Sequence, residues 1–555
     1  MSTKTSLLGG AAIGLIAALA LGAGAEAAPA KHHHRAAART DAGLEAQVRE
    51  LRAQVESLQQ TLAAQAAAQQ SIQAQAQAAQ ARADESAAAA QAAQARLDTE
   101  VQQIPGAVQS AMASAPAPDK GRMKGITITP GGFLAAETIY RSKNMGADIS
   151  SSFNSIPYGN SRVGHTSETR FTARQSRLSL LVQGDVNPAT HLAMYGEFDF
   201  QAGPQTANSN QSNSFSPRIR NLYGTIDWDT YGLHFLAGQN WSLATTNTKG
   251  ITPRNESPPP TIDAQYVPGF VWARQPQVRI VKDFDKTVWV AASLENPQTT
   301  FFTVGSGAGA GTLPSNLTYN TTAGSGFANI NTLSLNHIPD VIVKAAYEAP
   351  LYGHPVHVEG FGIYRSFYTR LGSTNNNVSG GGFGGGAVVG VVPKVLDLQI
   401  SGLVGQGIGR YGTSGLPDVT FDAQGNVRPM HENMVLAGLT LHATKDLDVY
   451  VFGGREQAQA RIFSGPTGLA YGYGNPLYLN AGCFTEGSSA TCNGNTKEID
   501  QITGGFWHKP YQGKFGKIQW GVQYSYTERK AFEGVGGAPK ANENMVFTSF
   551  RYYPF

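Results

Sequence analysis

Two hydrophobic rhythms divide this chain. Leu44, Val48, Leu51, Val55, Leu58 and Leu62 recur at alternating steps of four and three, a heptad seam with Val at a and Leu at d. The helix-favouring Ala/Gln tract behind them carries the same register to Leu97 and Ile104, where Pro105 stops it. The pattern predicts a coiled coil over residues 44–104, a linker over 105–124, and self-association. From residue 125 the period falls to two. Val288, Val290, Ala292 and Leu294 share one face of their segment, and Leu398 and Ile400 oppose Asp397, Gln399 and Ser401. Each such strand has one oily face and one wet face.

Sixteen segments of this kind are legible between 131–141 and 542–555. Connections after odd-numbered strands are long (142–168, 202–216, 242–270, 297–339, 367–378, 410–431, 457–495, 529–541). Those after even-numbered strands are tight, as at 185–190, 283–286, 393–394 and 509–513. A short-turn end and a long-loop end describe a transmembrane barrel, whose strands must close because hydrocarbon offers no partner to an open edge. The fold class expected for 125–555 is therefore all-β, a 16-stranded antiparallel transmembrane barrel, preceded by a periplasmic α-helical coiled coil. An even strand count returns both ends of the barrel to the short-turn side. Aromatic residues at strand ends, among them Tyr140, Trp241, Trp289, Tyr364 and Trp507, suit interfacial girdles. A soluble β-sandwich or solenoid would need alternate loops to be long by chance.

Composition agrees. Only 15% of the 555 residues are charged and 64 are Gly. A net charge of +3 is too balanced for a nucleic-acid binder acting through a bulk field. Past the N-terminus no apolar run reaches the roughly 18 residues of a spanning helix. The N-terminus reads as a secretory signal peptide over 1–27, with Lys4, an apolar core from Leu7 to Leu21 and an Ala25-x-Ala27 exit. The segment 28–43, with Lys31-His32-His33-His34-Arg35, reads as a flexible basic stretch and not as a metal site. Cys483 and Cys492 are the only cysteines, and an oxidising compartment makes them a disulfide pinning a loop. Neither a cofactor nor a metal site is expected.

Three motifs carry a family resemblance: Thr172-Ala173-Arg174-Gln175-Ser176-Arg177-Leu178, Tyr223-Gly224-Thr225, and Leu236-Ala237-Gly238-Gln239-Asn240-Trp241-Ser242. With the order coiled coil then barrel, the chain resembles the DcaP-like porins, trimeric outer-membrane channels with a periplasmic coiled coil. The resemblance implies passive uptake of small anionic solutes such as dicarboxylates. It also implies a homotrimer in contact with outer-membrane lipid, inserted by the barrel-assembly machinery and binding no nucleic acid.

For such a channel the third long loop, 242–270, is the expected constriction. It offers Arg254, Glu256 and Asp263, stiffened by Pro258-Pro259-Pro260. The expected selectivity wall is Gln175 and Arg177 on strand two, Tyr195, Glu197 and Asp199 on strand three, and Arg279 on strand six. Arg suits carboxylates because its planar fork binds both oxygens. Arg170 and Arg174 take the lipid-facing parity, which a bulge, a subunit contact or a position above the membrane has to explain. The rivals are a barrel enzyme, with His357/Glu359 and Thr440/His442 its nearest candidates but no compelling nucleophile, and a structural or adhesive trimer.

Overall fold

A computed structural model describes residues 120–555, apart from 203–214, 308, 323–331 and 467, together with scattered helical residues between 49 and 94. The chain separates into two units at about residue 116. In the first, every described residue is α-helical and exposed, without a break over 77–94. The signal peptide, the basic segment, the seam residues Leu44 to Leu62 and the linker as far as 119 lie outside the described residues.

The second unit is a closed antiparallel sheet of sixteen long strands. In chain order they are β1 (Ile126–Arg141), β2 in two pieces (Glu168–Thr172 and Arg177–Asn187), β3 (Thr190–Asp199), β4 (Arg218–Trp228), β5 (Leu233–Trp241), β6 (Arg274–Phe284), β7 (Val288–Glu295) and β8 (Asp340–Leu351). There follow β9 (His354–Leu371), β10 (Thr374–Val392), β11 (Leu396–Gln406), β12 (His431–Thr444), β13 (Leu447–Ala458), β14 (Thr496–Gly513), β15 (Gly516–Ala531) and β16 (Lys540–Tyr553). Each pairs with its neighbour, and β1 closes on β16 from Leu134↔Tyr552 to Arg141↔Met545. Just ahead of β1, Gly121–Met123 folds back on Ile126–Ile128, so the expected linker already belongs to the sheet at its end. The tight turns obey ordinary hairpin chemistry. Tyr352-Gly353, between β8 and β9, takes positive φ at both positions, which matches the strand twist.

Alternation assigns the faces. Leu178, Leu180, Leu192, Met194, Val278, Ile280, Val290 and Leu294 are exposed on the outer wall, and their sequence neighbours turn inward. On β16, Phe547, Ser549 and Arg551 are buried inside while Val546 and Phe550 face out, which settles the mixed parity of the C-terminal strand.

The structure corrects the sequence reading at four places. Strand two is interrupted at 173–176, and this break resets its parity. Arg170 pairs opposite the buried Ile139 and so faces inward beside Glu168. Arg174 lies in the break and binds Asp148 together with the carbonyls of Phe200 and Ala202. The expected loop 367–378 is instead paired strand, from Phe367↔Val378 to Leu371↔Thr374, because alternation continues through Phe367 and Thr369. The turn expected at 509–513 moves on to 514–515, since β14 absorbs Pro510 in a register shift. Trp241, Trp289 and Trp507 are buried and join no interfacial girdle: their strand partners direct them into packed clusters inside the barrel. Tyr140 and Tyr364 are exposed on the outer wall.

A constricted lumen as candidate functional site

The interior is far from an open pipe. The loop 242–270 leaves β5, folds into the lumen and packs against both sides of it. Leu243, Ala244 and Ile251 join a buried cluster with Val281, Trp289, Ile342, Phe361 and Leu403 on the β6–β11 side. Ile262, Tyr266, Val267 and Phe270 join another with Leu436, Tyr450, Phe452, Trp507 and Phe547 on the β12–β16 and β1 side. Wall side chains satisfy the backbone of the loop, as a buried irregular segment requires. Gln399 donates to Ser257 O (2.6 Å), Trp507 to Pro260 O (2.8 Å), and Gln523 accepts from Ile262 N (2.5 Å). Glu456 accepts from Gly269 N (2.8 Å) and Glu359 from Asn247 N (3.2 Å). Gly269 has φ +90°, and a Cβ there or at Gly454 would strike backbone oxygen at about 2 Å, so the seat of the loop depends on two glycines.

The wall residues named from sequence sit close to this loop. Gln175, in the break of strand two, donates to Ile262 O (3.2 Å) and accepts from Arg551. Arg177 is 4.0 Å from Glu197, its side chain is 23% exposed, and its Nε has no partner. Tyr195 donates to Glu197 (3.2 Å). Asp199 is fully buried and accepts from Arg218 (3.0 and 2.7 Å) and Arg220 (3.0 Å), and Arg220 also donates to Glu197 (2.5 Å). Arg279 turns inward but is covered, donating to Gln277 (3.0 Å) and the Trp241 carbonyl (2.6 Å). It therefore lies in the wall under the loop, away from open lumen.

On the loop, Arg254 is exposed at φ +68°, with its guanidinium 5.7 Å from the Tyr195 ring centre. Glu256 keeps a buried oxygen without a hydrogen bond, and Arg279 and Lys344 are its opposing charges. Asp263 caps the backbone of Ser151 (3.2 Å) and Gln265 (2.9 Å). Burial pushes its carboxyl up, against the pull of Arg141. Asp263 is thus a loop anchor through one oxygen, and its second oxygen is buried without a hydrogen-bond partner.

Sequence reasoning missed Arg218 and Arg220. Arg220 is the extra residue of a register shift between β4 and β3, which no pattern in the chain announces. It also missed the closed pairs Arg551–Glu137 (3.1 Å), Lys344–Glu359 (2.8 Å) and Arg365–Asp340/Asp418 (3.2 and 2.6 Å). Around Glu197 and Asp199, Arg177, Arg218 and Arg220 face two carboxylates and Arg274 adds its charge nearby, which leaves positive charge in surplus with Arg177 the most loosely paired of the three.

Comparison with known structures fits this architecture. The crystal structure of the outer membrane channel DcaP of Acinetobacter baumannii matches with a TM-score of 0.54 at 19% identity, over 78% of this chain and 99% of that one. The fold is that of the DcaP channel. The anion-selective porin from Comamonas acidovorans (TM-score 0.42, 11% identity, 77% and 99% covered) is a looser match. So is the trimer form of OmpT from Vibrio cholerae (0.40, 12%, 78% and 100%). No family model matches the sequence, and no curated protein does. Cys483 and Cys492 are disulfide-bonded. Among the described residues no group of three or more His, Cys, Asp or Glu is placed to hold a metal ion.

Proposed function

We propose that this chain is an outer-membrane porin, a passive diffusion channel for small hydrophilic solutes that favours anions such as carboxylates and dicarboxylates. The observation that carries the reading is the loop 242–270, seated across the lumen and sewn to both walls beside a loosely paired guanidinium, Arg177. A purely structural barrel has no need for an internal loop held by so many wall hydrogen bonds. A fixed eyelet with surplus positive charge orients anions and replaces part of their hydration. The coiled-coil seam over 44–62, together with the DcaP-like fold, supports a homotrimer whose helical segment lies in the periplasm. The channel is no enzyme in this reading.

The test is planar-bilayer recording from the purified full-length protein. Conductance in three equal steps, with a reversal potential of anionic sign in asymmetric salt, is expected. Absence of any conductance would overturn channel function and favour an adhesive or structural trimer.

A further inference from the structure

Below the loop, towards the short turns, the inner wall of β2–β5 encloses a cavity of about 540 Å³ roofed by Thr252 to Asn255. That is a small-molecule volume. Its floor is a single row across four adjacent strands, Asp185↔His191↔Asp227↔His234, set by the strand register. His191 donates to Asp185 (2.6 Å) and Asp229 (3.2 Å), and His234 to Asp227 (2.7 Å) and Asp283 (3.0 Å). Carboxylates only accept, so each ring satisfies both partners as the imidazolium. Among the charges lining the cavity, Asp185, Asp227 and Asp229 are matched in number by His191, His234 and Arg254, and Asp283 stands behind His234. Balance in number is not balance in space: the carboxylates lie on the floor and the guanidinium in the roof.

Two groups mark the roof as a receiving surface. Arg254 forms no ion pair among the described residues; its guanidinium lies 5.7 Å from the Tyr195 ring centre and beside the Tyr223 hydroxyl. Tyr223 also lines the cavity, is 4% exposed, and its hydroxyl has no hydrogen-bond partner. A buried hydroxyl needs a partner, and the charged groups that stand beside it are Arg254 and Glu256. The His–Asp contacts alone would not make a site, because His442 spans Asp397 and Asp448 in the same way at another short turn.

We propose that this cavity is a binding subsite for dipolar solutes carrying both an ammonium and a carboxylate group. The carboxylate meets Arg254 and Tyr223, and the ammonium meets the free oxygens of Asp185 and Asp229. A simple anion at Arg254 faces the acidic floor, and a simple cation on the floor faces Arg254, so only a solute with both charges matches both ends. Tyr223 and the row that holds Asp185 are four residues apart along the strands, roughly 13 Å of backbone, a gap that side chains reaching in from both ends narrow for a short dipolar solute.

The inference rests on the channel reading only for the route by which solute arrives, and the experiment separates the two. Ligand-observed NMR on the detergent-solubilised full-length protein compares 4-aminobutyrate with butyrate and butylammonium, and the same probes are added to single-channel recordings. At least a threefold stronger effect of 4-aminobutyrate than of either relative is expected in both. That preference is lost in Arg254→Gln and in the double variant Asp185→Asn/Asp229→Asn, and it is retained in Arg254→Lys. Equal behaviour of the three probes, or a preference that survives both charge-removing variants, overturns the subsite. A protein that conducts without the preference retains the channel reading and loses this one. A protein that binds with the preference but passes no current does the reverse.

Discussion

Replacing Arg177 by Gln tests the surplus charge directly. The side chain is loosely held, 4.0 Å from Glu197, while Arg220 sits 2.5 Å from the same carboxylate. The variant therefore removes one of the surplus positive charges without unpairing Glu197. For an ion passing about 6 Å from the guanidinium in a water-like lumen, the interaction is about 0.7 kcal/mol. It is favourable for an anion and unfavourable for a cation, so the permeability ratio shifts by twice that, about tenfold in dilute salt. At 0.1 M, screening over a Debye length of about 10 Å reduces the shift to about fourfold. Reversal potentials across a salt gradient, measured at two ionic strengths, read both numbers. A ratio within twofold of wild type at low salt, in a variant of normal conductance, refutes the reasoning. So does an equal shift in Arg279→Gln, whose guanidinium is 3% exposed and bonded to the wall.

Other outcomes follow from the same contacts. Arg279→Gln should leave ion selectivity unchanged but lower the thermal unfolding temperature, because the Trp241 carbonyl and Gln277 lose a charged donor. Gly454→Val, whose Cβ would meet Pro268 O at 1.9 Å, should unseat the constriction loop and raise single-channel conductance. In the loop 407–430, burial alone would raise the Asp422 carboxyl, but hydrogen bonds from Arg428 and Asn426 outweigh it and hold it below the ordinary carboxylate range. Its folded value lies under its unfolded one, so its stabilising effect is complete above the unfolded value and fades as pH falls through the folded one. Proteolysis of that hairpin should accelerate on acidification, and Asp422→Asn should flatten the pH dependence. Reducing Cys483–Cys492 removes a nine-residue cross-link worth about 2.5 kcal/mol. Cleavage within 457–495 should then quicken while the barrel retains its β-sheet circular dichroism.

The legibility of the barrel had a physical source. Membrane-spanning strands bury one face in hydrocarbon and wet the other, so faces and strand count are written residue by residue, and the long/short alternation of connections fails only where pairing runs on through Phe367–Leu371. Val288 to Leu294 and Leu178 to Val182 could be assigned outward from their spacing alone. The third long loop was legible too, because three consecutive prolines between charged residues are conspicuous in any reading. What stayed hidden depends on breaks in the period. Once strand two is interrupted at 173–176, parity counted from Leu178 no longer applies to Arg170. Arg220 becomes a partner of Glu197 only because the pairing slips by one residue at that point.

Period two tells whether a side chain points inward but not what it finds there. Trp507, Arg279 and Arg177 all carry the inward parity. The first holds Pro260 of the loop, the second disappears beneath it, and the third keeps a nitrogen without a partner. Those fates are set by where residues 242–270 come to rest across the lumen, and by contacts between positions hundreds of residues apart, such as Ile262 and Gln523. Burial, pairing and surplus charge are properties of that three-dimensional neighbourhood. The sequence by itself determined a closed, two-faced sheet with a rigid third loop, because hydrocarbon and water act on each residue locally. Only the tertiary structure decided which charges cancel and which remain, because Coulombic pairing depends on distances that no one-dimensional pattern contains.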